Sequence, residues 1–335
     1  MNSYVTDFPM RRGRRHRNIP WIRNLIAESH VTVNDLIWPV FVREGNNIIE
    51  PIDELPGVFR YSIDTLLDQV SKASDLGITC IAIFPCTPNN YKTADCSEAW
   101  NPDNLVNKAT QLVKNKTPHM GVMLDVALDP YNSLGHDGLV RNGKILNDET
   151  LDALSKQALV QAESGADILG PSDMMDGRVK VIRNALESRK YHDTIILSYA
   201  AKFASSFYGP FRAAIGSSGN LSGDKKTYQL DYRNSEEALR DVALDIKEGA
   251  DMVMVKPGMP YLDMCRQIKD QFKVPTFAYQ VSGEYAMIAT SIKKGFFDKD
   301  KVILETISCF KRAGCDGVLT YFALELARIL GTKKD

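Results

Sequence analysis

The feature that most constrains the fold is a local pattern that recurs along the chain. An amphipathic helix ends in glycine, and an apolar run begins one or two residues later, at 74–84, 162–172, 246–256 and 311–321. Glycine is the usual residue at the left-handed cap of a helix. A short apolar run bounded by glycine or proline is typical of a buried parallel strand. Repeated helix–glycine–strand units therefore predict a parallel sheet built from β/α units.

Eight apolar runs are predicted to be strands. They are 36–42, 78–84, 120–126, 167–170, 195–201, 252–255, 276–281 and 318–320, and helical patterns between them include 149–164, 235–248 and 261–272. Eight β/α units in 335 residues favour a (β/α)8 TIM barrel over a doubly wound sheet. No Gly-x-Gly-x-x-Gly follows an early strand, which counts against a dinucleotide fold. We predict an extended N-terminal arm over residues 1–30 and a (β/α)8 barrel catalytic domain over residues 31–335.

The bulk composition excludes several classes of protein. With 44% hydrophobic residues and a net charge of −1, the chain can bury a large core and shows no general affinity for polyanions. No apolar stretch approaches about 18 residues, so we expect no membrane span and no membrane partner. The six cysteines lack CxxC spacing, which indicates reduced thiols and a cytoplasmic location. The basic run at 11–17 is predicted to be an exposed arm that packs on a neighbouring subunit, and a nucleic-acid patch is the alternative.

Two lysines stand where predicted strands end. Lys202 follows the run 195–201, and Lys256 follows 252–255 and precedes Pro257. Burial at a strand end disfavours the ammonium form and lowers the amine pKa, and a second cation nearby lowers it further. A neutral amine can form a Schiff base with a carbonyl, so two such lysines indicate two carbonyls. The alternative is that either side chain simply extends from its strand end into solvent.

A (β/α)8 barrel places its active site at the C-terminal ends of the strands. Polar residues follow the predicted strands at those ends. They are Asp125, Asp129, Ser172, Asp173, Lys202, Lys256, Ser282 and Tyr321.

Three segments resemble the porphobilinogen synthase (5-aminolevulinate dehydratase) family. They are SYAAKFASSFYGPFR at 198–212, MVKPGMPYLD at 254–263 and YQVSGEYAM at 279–287, and the resemblance extends from Phe8 to Ala327. It implies a barrel with an N-terminal arm, usually assembled as a homo-octamer. It also implies a lyase of haem and tetrapyrrole biosynthesis, which condenses two molecules of 5-aminolevulinic acid to porphobilinogen with loss of two waters.

The resemblance also implies roles for individual residues. Lys256 would hold the substrate that becomes the propionate side of the product, and Lys202 the acetate-side substrate. The implied carboxylate ligands are Arg212 and Lys225 on the acetate side and Ser282 and Tyr321 on the propionate side. Ser172, Tyr208 and Gln229 complete the predicted substrate-binding set. The Gly- and Ser-rich stretch 203–225 is predicted to be a lid that excludes water, and an ordinary long surface loop is the alternative.

Three aspartates, Asp125, Asp129 and Asp137, lie in the segment 124–138. Zinc-type members of the resembled family carry three cysteines here, where this chain has Ala127, Asp129 and Asp137. Zn²⁺ favours thiolates and imidazoles, so we expect no catalytic zinc. The aspartates could bind a hard cation, or they could steer the amine of the substrate and transfer protons. We favour the second interpretation.

The missing cysteines point to the magnesium-responsive members of the resembled family. Those members bind a hydrated Mg²⁺ at a subunit contact, through an acidic residue in the helix before the sixth strand. Asp241 stands at that position, where those relatives usually have Glu. An allosteric Mg²⁺ at Asp241 is therefore the prediction, and a solvated acid on the helix surface is the alternative.

Other classes of function remain open. A class I aldolase is also a barrel but needs only one imine lysine. A pyridoxal-phosphate barrel would need a phosphate nest, and none is evident. A non-catalytic barrel protein needs neither lysine. Because the chain has both Lys202 and Lys256, we favour the condensation of two ketones.

Overall fold

The computed structural model describes residues 8–215, 221 and 223–332. Within these residues, eight parallel strands form a closed barrel. The strands are β1 Leu36–Val42, β2 Cys80–Pro85, β3 Gly121–Val126, β4 Ile168–Pro171, β5 Ile195–Lys202, β6 Met252–Lys256, β7 Thr276–Gln280 and β8 Gly317–Thr320. They pair in chain order, and β8 pairs with β1 to close the barrel. The predicted TIM barrel is confirmed.

Helices precede the barrel, alternate with its strands and cover its outer face. They are α1 Pro20–Leu25, α2 Ile63–Asp75, α3 Leu105–Lys116, α4 Asn147–Glu163, α5 Arg178–Ser188, α6 Gly209–Ala214, α7 Ser235–Glu248, α8 Leu262–Phe272, α9 Ser282–Lys293, α10 Lys299–Arg312 and α11 Ala323–Thr332. Helix α7 has the bounds that its sequence predicts. Glu236 and Glu237 lie in its first turn, where acids stabilise the positive end of the helix dipole, and Gly249 caps it at φ 108°.

The barrel strands are buried along nearly their whole length, and all seven residues of β1 are buried. Strands that are covered on both faces have no solvent-facing positions, which is why they consist of continuous apolar runs. Two short pairs of strands were not predicted. Strand Ile49–Pro51 pairs with Phe59–Tyr61 beside β1, and Val140–Arg141 pairs with Lys144–Ile145.

An aspartate precedes each of three even-numbered strands. At the N-terminal end of the barrel it connects that strand to the neighbouring strand and to a helix. Each carboxylate accepts the N–H of a residue in the neighbouring odd-numbered strand and pairs with a helix cation. The groups are Asp167 with Val122 and Lys114, Asp251 with Ile196 and Arg183, and Asp316 with Thr276 and Lys269. A repeated Gly-x-Asp sequence joins helix to strand, and its aspartate stabilises the N-terminal end of the barrel. The two lysines lie at the opposite end.

The described part of the arm begins at residue 8 and leads through α1 to β1. Trp21 and Leu25 on α1 are 62% and 71% exposed. The division at residue 30 stays a prediction. Among the residues that the structure describes, no helix combines the length and the apolar character needed to cross a membrane.

Candidate active site

A cavity opens at the C-terminal ends of β3 to β6. It brings together most of the residues that the sequence singled out. Its walls include Asp125, Asp129, Asp137, Ser172, Lys202, Tyr208, Lys225, Gln229 and Lys256. Side chains that are far apart in the sequence therefore share one pocket, with three carboxylates facing three lysines.

Lys202 and Lys256 are the last residues of neighbouring strands and are Cα partners in the ladder between β5 and β6. The sequence placed them just after those strands, but the ladder continues through both residues. The Phe203 N–H donates to the Lys256 carbonyl at 2.9 Å, which extends the backbone pairing beyond the two lysines. Both side chains are therefore fixed at their base by strand hydrogen bonds.

The Lys256 amine lies among aromatic rings. Its Nζ is 4.8 Å from the ring centroid of Tyr279, 5.0 Å from Tyr199, 5.3 Å from Phe211 and 5.4 Å from Tyr208. Burial lowers its pKa to about 7, and the charge of Lys202 lowers that pKa as well, against the opposing effect of the aspartates. A substantial fraction of the Lys256 amine is therefore neutral and nucleophilic near pH 7.

The Lys202 amine has polar neighbours instead. Its Nζ donates to Asp137 Oδ1 at 2.9 Å and to the carbonyl oxygen of Ser172. Both contacts stabilise an ammonium group. The two lysines therefore differ in their resting environment: one is surrounded by aromatic rings, and the other is held in an ion pair.

Asp137 forms ion pairs with two of the three lysines in the cavity, Lys202 and Lys225. Besides Lys202, it accepts from Lys225 Nζ at 2.5 Å and from the Tyr228 hydroxyl at 2.9 Å. Burial raises the pKa of Asp137, but the charges of Lys202 and Lys225 outweigh burial and hold that pKa below its usual range. Asp137 is therefore an ionised partner for two ammonium groups.

Asp125 is the aspartate best suited to exchange protons near neutral pH. Burial raises its pKa to about 6, Asp129 raises it as well, and a hydrogen bond with Ser172 opposes the rise. Its Oδ1 accepts no hydrogen bond from the residues described. A buried carboxyl with a free oxygen and a pKa near the working pH suits general acid–base catalysis.

Two predicted carboxylate ligands do not line the cavity and bond to other protein groups instead. The Ser282 hydroxyl accepts from the Phe211 N–H at 3.0 Å and donates to the Phe207 carbonyl at 3.3 Å. The Tyr321 hydroxyl pairs with the Tyr279 hydroxyl at 2.9 Å. Neither residue lines the pocket. The side chain of Arg212, in α6, lies outside the described part of the chain, as do residues 216–220 and 222 of the predicted lid.

Asp241 lies on α7, away from the cavity. Burial raises its pKa to about 6, and the nearby carboxylates of Asp245, Glu237 and Asp176 contribute to the rise, against the charge of Arg178. Within the described ranges, no three acidic, histidine or cysteine side chains are arranged to hold a metal ion, here or at the aspartates of the cavity.

Tyr228 is a functional candidate that the sequence did not reveal. Its hydroxyl bonds Asp137 and also lies 3.0 Å from His136 Nδ1. Tyr199 and Phe211 were missed as well, although they form part of the ring environment of Lys256. The contacts of Tyr228 cross about ninety residues of sequence, as its separation of 91 from Asp137 shows, so no local pattern could identify them.

Comparison with known proteins identifies a family. The family model of delta-aminolevulinic acid dehydratase matches residues 10–329. The chain is 55% identical to the delta-aminolevulinic acid dehydratase of Bradyrhizobium diazoefficiens, over 96% of this chain and 91% of that protein. It is 54% identical to that of Rhodobacter capsulatus, over 99% and 100%. The crystal structure of the Toxoplasma gondii ME49 enzyme, in complex with its reaction product porphobilinogen, has a TM-score of 0.93 and 46% identity, and the match covers 95% of this chain and 91% of that one.

Proposed function

The chain belongs to the delta-aminolevulinic acid dehydratase family, and from this premise we propose how it makes porphobilinogen from two molecules of 5-aminolevulinic acid. Lys256 holds one ketone as a Schiff base, and Lys202 holds the other. The observation that carries the proposal is that the two lysines are Cα partners at the ends of adjacent strands. Neighbouring strands lie about 4.8 Å apart, so two bound ketones lie side by side. The reaction is an early step of haem and tetrapyrrole biosynthesis.

Each Schiff base forms when a lysine nitrogen replaces the ketone oxygen, which leaves as water. The imine attracts electrons and makes the adjacent carbon acidic. The carbon beside the Lys202 imine attacks the imine carbon on Lys256, and the Lys256 nitrogen then leaves. The free amine of the substrate that Lys256 had held then attacks the imine carbon on Lys202 and releases that lysine. The two bonds formed close the ring, both lysines return to their resting form, and two waters are lost in total.

Proton transfer in this scheme falls to Asp125, with Asp129 beside it. Asp125 lines the same cavity as Lys256, and its charge acts on the reacting amine. Its pKa of about 6 lets it accept a proton from a substrate carbon and return it to a leaving nitrogen at neutral pH. Asp137 keeps its charge, and its hydrogen bond with the Lys202 amine places it where it would stabilise a protonated imine on that lysine.

Binding of the substrate carboxylates requires several contacts to change. Lys225 would leave Asp137 to bind the acetate-side carboxylate, together with Arg212, Tyr208 and Gln229. Ser282 would exchange its backbone partners in the segment 207–211 for the propionate-side carboxylate, with Tyr321 as the second donor. We propose that α6 shifts when substrate binds, since it supplies one of those partners.

The ammonium groups support a site without zinc. Lys225 Nζ lies 3.6 Å from Asp129 Oδ2 and 2.5 Å from Asp137 Oδ2, so a lysine already pairs with both aspartates that replace zinc cysteines. A hydrated Mg²⁺ is proposed instead at Asp241, as an allosteric ion within a homo-octamer. The acids around Asp241 create a negative potential that favours a cation. The cytoplasmic location stays a prediction.

The magnesium proposal is tested by sedimentation at pH 8, where Asp241 is ionised. Mg²⁺ should shift the wild-type protein and the control Glu236→Ala toward a larger assembly. Asp241→Ala should remain at its metal-free size. Equal assembly size and activity with and without Mg²⁺ in the wild type would remove Asp241 as a site.

Schiff-base trapping tests the catalytic proposal. The protein is incubated with 5-aminolevulinate, reduced with borohydride and digested, and the adducts are mapped by mass spectrometry. Adducts on both Lys202 and Lys256 support the condensation. An adduct on one lysine alone supports an aldolase-like enzyme, and the absence of both leaves an inert barrel. Lys202→Met and Lys256→Met verify the assignment of each adduct.

A further inference from the structure

Glu284 is a buried carboxylate that no step of the proposed reaction uses. It lies in the first turn of α9 and is 1% exposed. Its Oε2 accepts from the Val281 N–H at 2.7 Å and from the Gly258 N–H at 3.2 Å, and its Oε1 accepts from the Met259 N–H at 2.5 Å. One side chain thus binds the start of α9 and the turn that follows β6.

Both of these segments lead directly to the Lys256 site. The turn at Gly258 and Met259 begins two residues after Lys256. The start of α9 carries Ser282, whose hydroxyl bonds the backbone of Phe211. The Phe211 ring lies 5.3 Å from the Lys256 amine. Glu284 therefore connects the strand that carries the amine to the helix that supports one of the rings around it.

Close packing makes this connection rigid. A Cβ on Gly258 would lie 2.6 Å from the Phe310 ring and 2.9 Å from the Tyr279 carbonyl oxygen. A Cβ on Gly283 would lie 2.5 Å from the Phe207 carbonyl oxygen. The backbone at Gly258 and Gly283 thus lies against its neighbours without space for a side chain. A displaced turn would shift the end of β6 rather than be absorbed locally.

Glutamate is the only residue of this length whose side chain offers two acceptor oxygens to these three donors. Glutamine would turn an NH₂ group toward at least one backbone N–H. Burial of the charge raises the pKa of Glu284 to about 7, and the three N–H donors oppose that rise. A carboxyl group in a buried position that disfavours its charge indicates a demand for geometry that a neutral amide does not meet.

We propose that Glu284 is a positioning residue for Lys256, and that it fixes the amine in the orientation required for Schiff-base formation without contributing to the Lys202 imine. The proposal rests on the proposed function, in which Lys256 and Lys202 each hold one ketone. The polar partners of Lys202 come from Asp137 and Ser172, on the other side of the cavity. Loss of Glu284 should therefore affect the two lysines unequally.

The test compares adduct formation at the two lysines within the same molecules. Wild type and Glu284→Gln are mixed with 5-aminolevulinate, quenched into borohydride at increasing times and analysed by mass spectrometry. Asp316→Asn is the matched control, because Asp316 also accepts a backbone N–H, that of Thr276 at 2.7 Å, but at the opposite end of the barrel. Glu284→Asp keeps both oxygens on a shorter side chain, and it is measured the same way if Glu284→Gln does not fold.

The expected result is a rate of Lys256 labelling lower by about tenfold or more, the penalty of a displaced reacting group, with Lys202 labelling within about twofold of wild type. Asp316→Asn should lower the melting temperature and keep the wild-type ratio of the two adducts. An unchanged ratio in the Glu284 variant, or an equal loss at both lysines, would overturn the proposal. If either lysine of the wild-type protein carries no adduct, the two-imine function itself is refuted instead.

Discussion

The low pKa of Lys256 should depend on the positive charge of Lys202, and removal of that charge tests the origin of the nucleophile. The wild-type amine has a pKa of about 7, which is set first by burial and then by Lys202. Lys202→Met removes the cation. A lost positive neighbour favours the ammonium form of Lys256, so its pKa should rise. Asp137, which would lose one of its two ammonium partners, would push in the same direction.

The magnitude follows from the strand register. Adjacent strands lie about 5 Å apart, and we take a separation of that order for the two amines. Two unit charges at about 5 Å interact with about 3 kcal/mol at an effective dielectric constant of about 20. Since about 1.4 kcal/mol corresponds to one pKa unit, the pKa of Lys256 should rise by about two units. At pH 7 the neutral fraction would fall from about one half to about one hundredth.

The assay uses levulinate, a keto acid that lacks the substrate amine and therefore stops at the imine. Protein and levulinate are mixed at a series of pH values and quenched into one borohydride buffer, so that the reduction step is the same throughout. The initial rate of Lys256 labelling is then plotted against pH. Wild type should show a midpoint near pH 7, and Lys202→Met a midpoint about two units higher.

Lys202→Arg is the control, because arginine keeps the charge and forms no imine under these conditions. Its midpoint should stay close to that of wild type. The electrostatic argument fails if Lys202→Met leaves the midpoint in place or lowers it, or if the arginine variant shifts as far as the methionine variant.

Three further results are expected. Lys256→Met should yield no porphobilinogen and a melting temperature no lower than wild type, because methionine removes the desolvation cost of the amine; measurable product with purified variant would contradict the Schiff-base role. Tyr228→Phe should lower kcat/KM by about tenfold to a hundredfold, since a hydrogen bond to a charged group contributes about 1.5–3 kcal/mol; the exposed Tyr232→Phe is the control, and equal rates for the two variants would exclude Tyr228. Zinc chelators should leave activity unchanged, and a loss that Zn²⁺ alone restores would show that the aspartate site needs that metal.

The barrel could be predicted from the sequence because its strands are buried on both faces. Continuous apolar runs mark such strands within one or two residues, as β1 and β5 show. The short strands Ile49–Pro51 and Phe59–Tyr61 lack that pattern because they lie partly exposed beside β1. Their pairing depends on the position of β1 rather than on their own composition.

The candidate site likewise has features that the sequence reveals and features that it does not. Lys202 and Lys256 are recognisable because a charged residue at the end of an apolar run is unusual. Their different surroundings are not recognisable, since those depend on Tyr199, Tyr279 and Asp137, which other strands and loops supply. The orientation of Ser282 toward the backbone of α6 could not be predicted either, because it is a tertiary contact of 71 residues' separation.

The pairing of Lys202 with Lys256 also determines what the reaction centre can be changed into. The separation of the two lysine backbones is set by interstrand hydrogen bonds and by closure of the barrel, not by loops. Substitutions in the loops can alter how substrates enter, how tightly their carboxylates bind and how fast product leaves. They cannot move the two lysine backbones apart to suit a longer pair of ketones. Engineering of this scaffold toward larger heterocycles would therefore require a lysine on a different strand, not a redesigned loop.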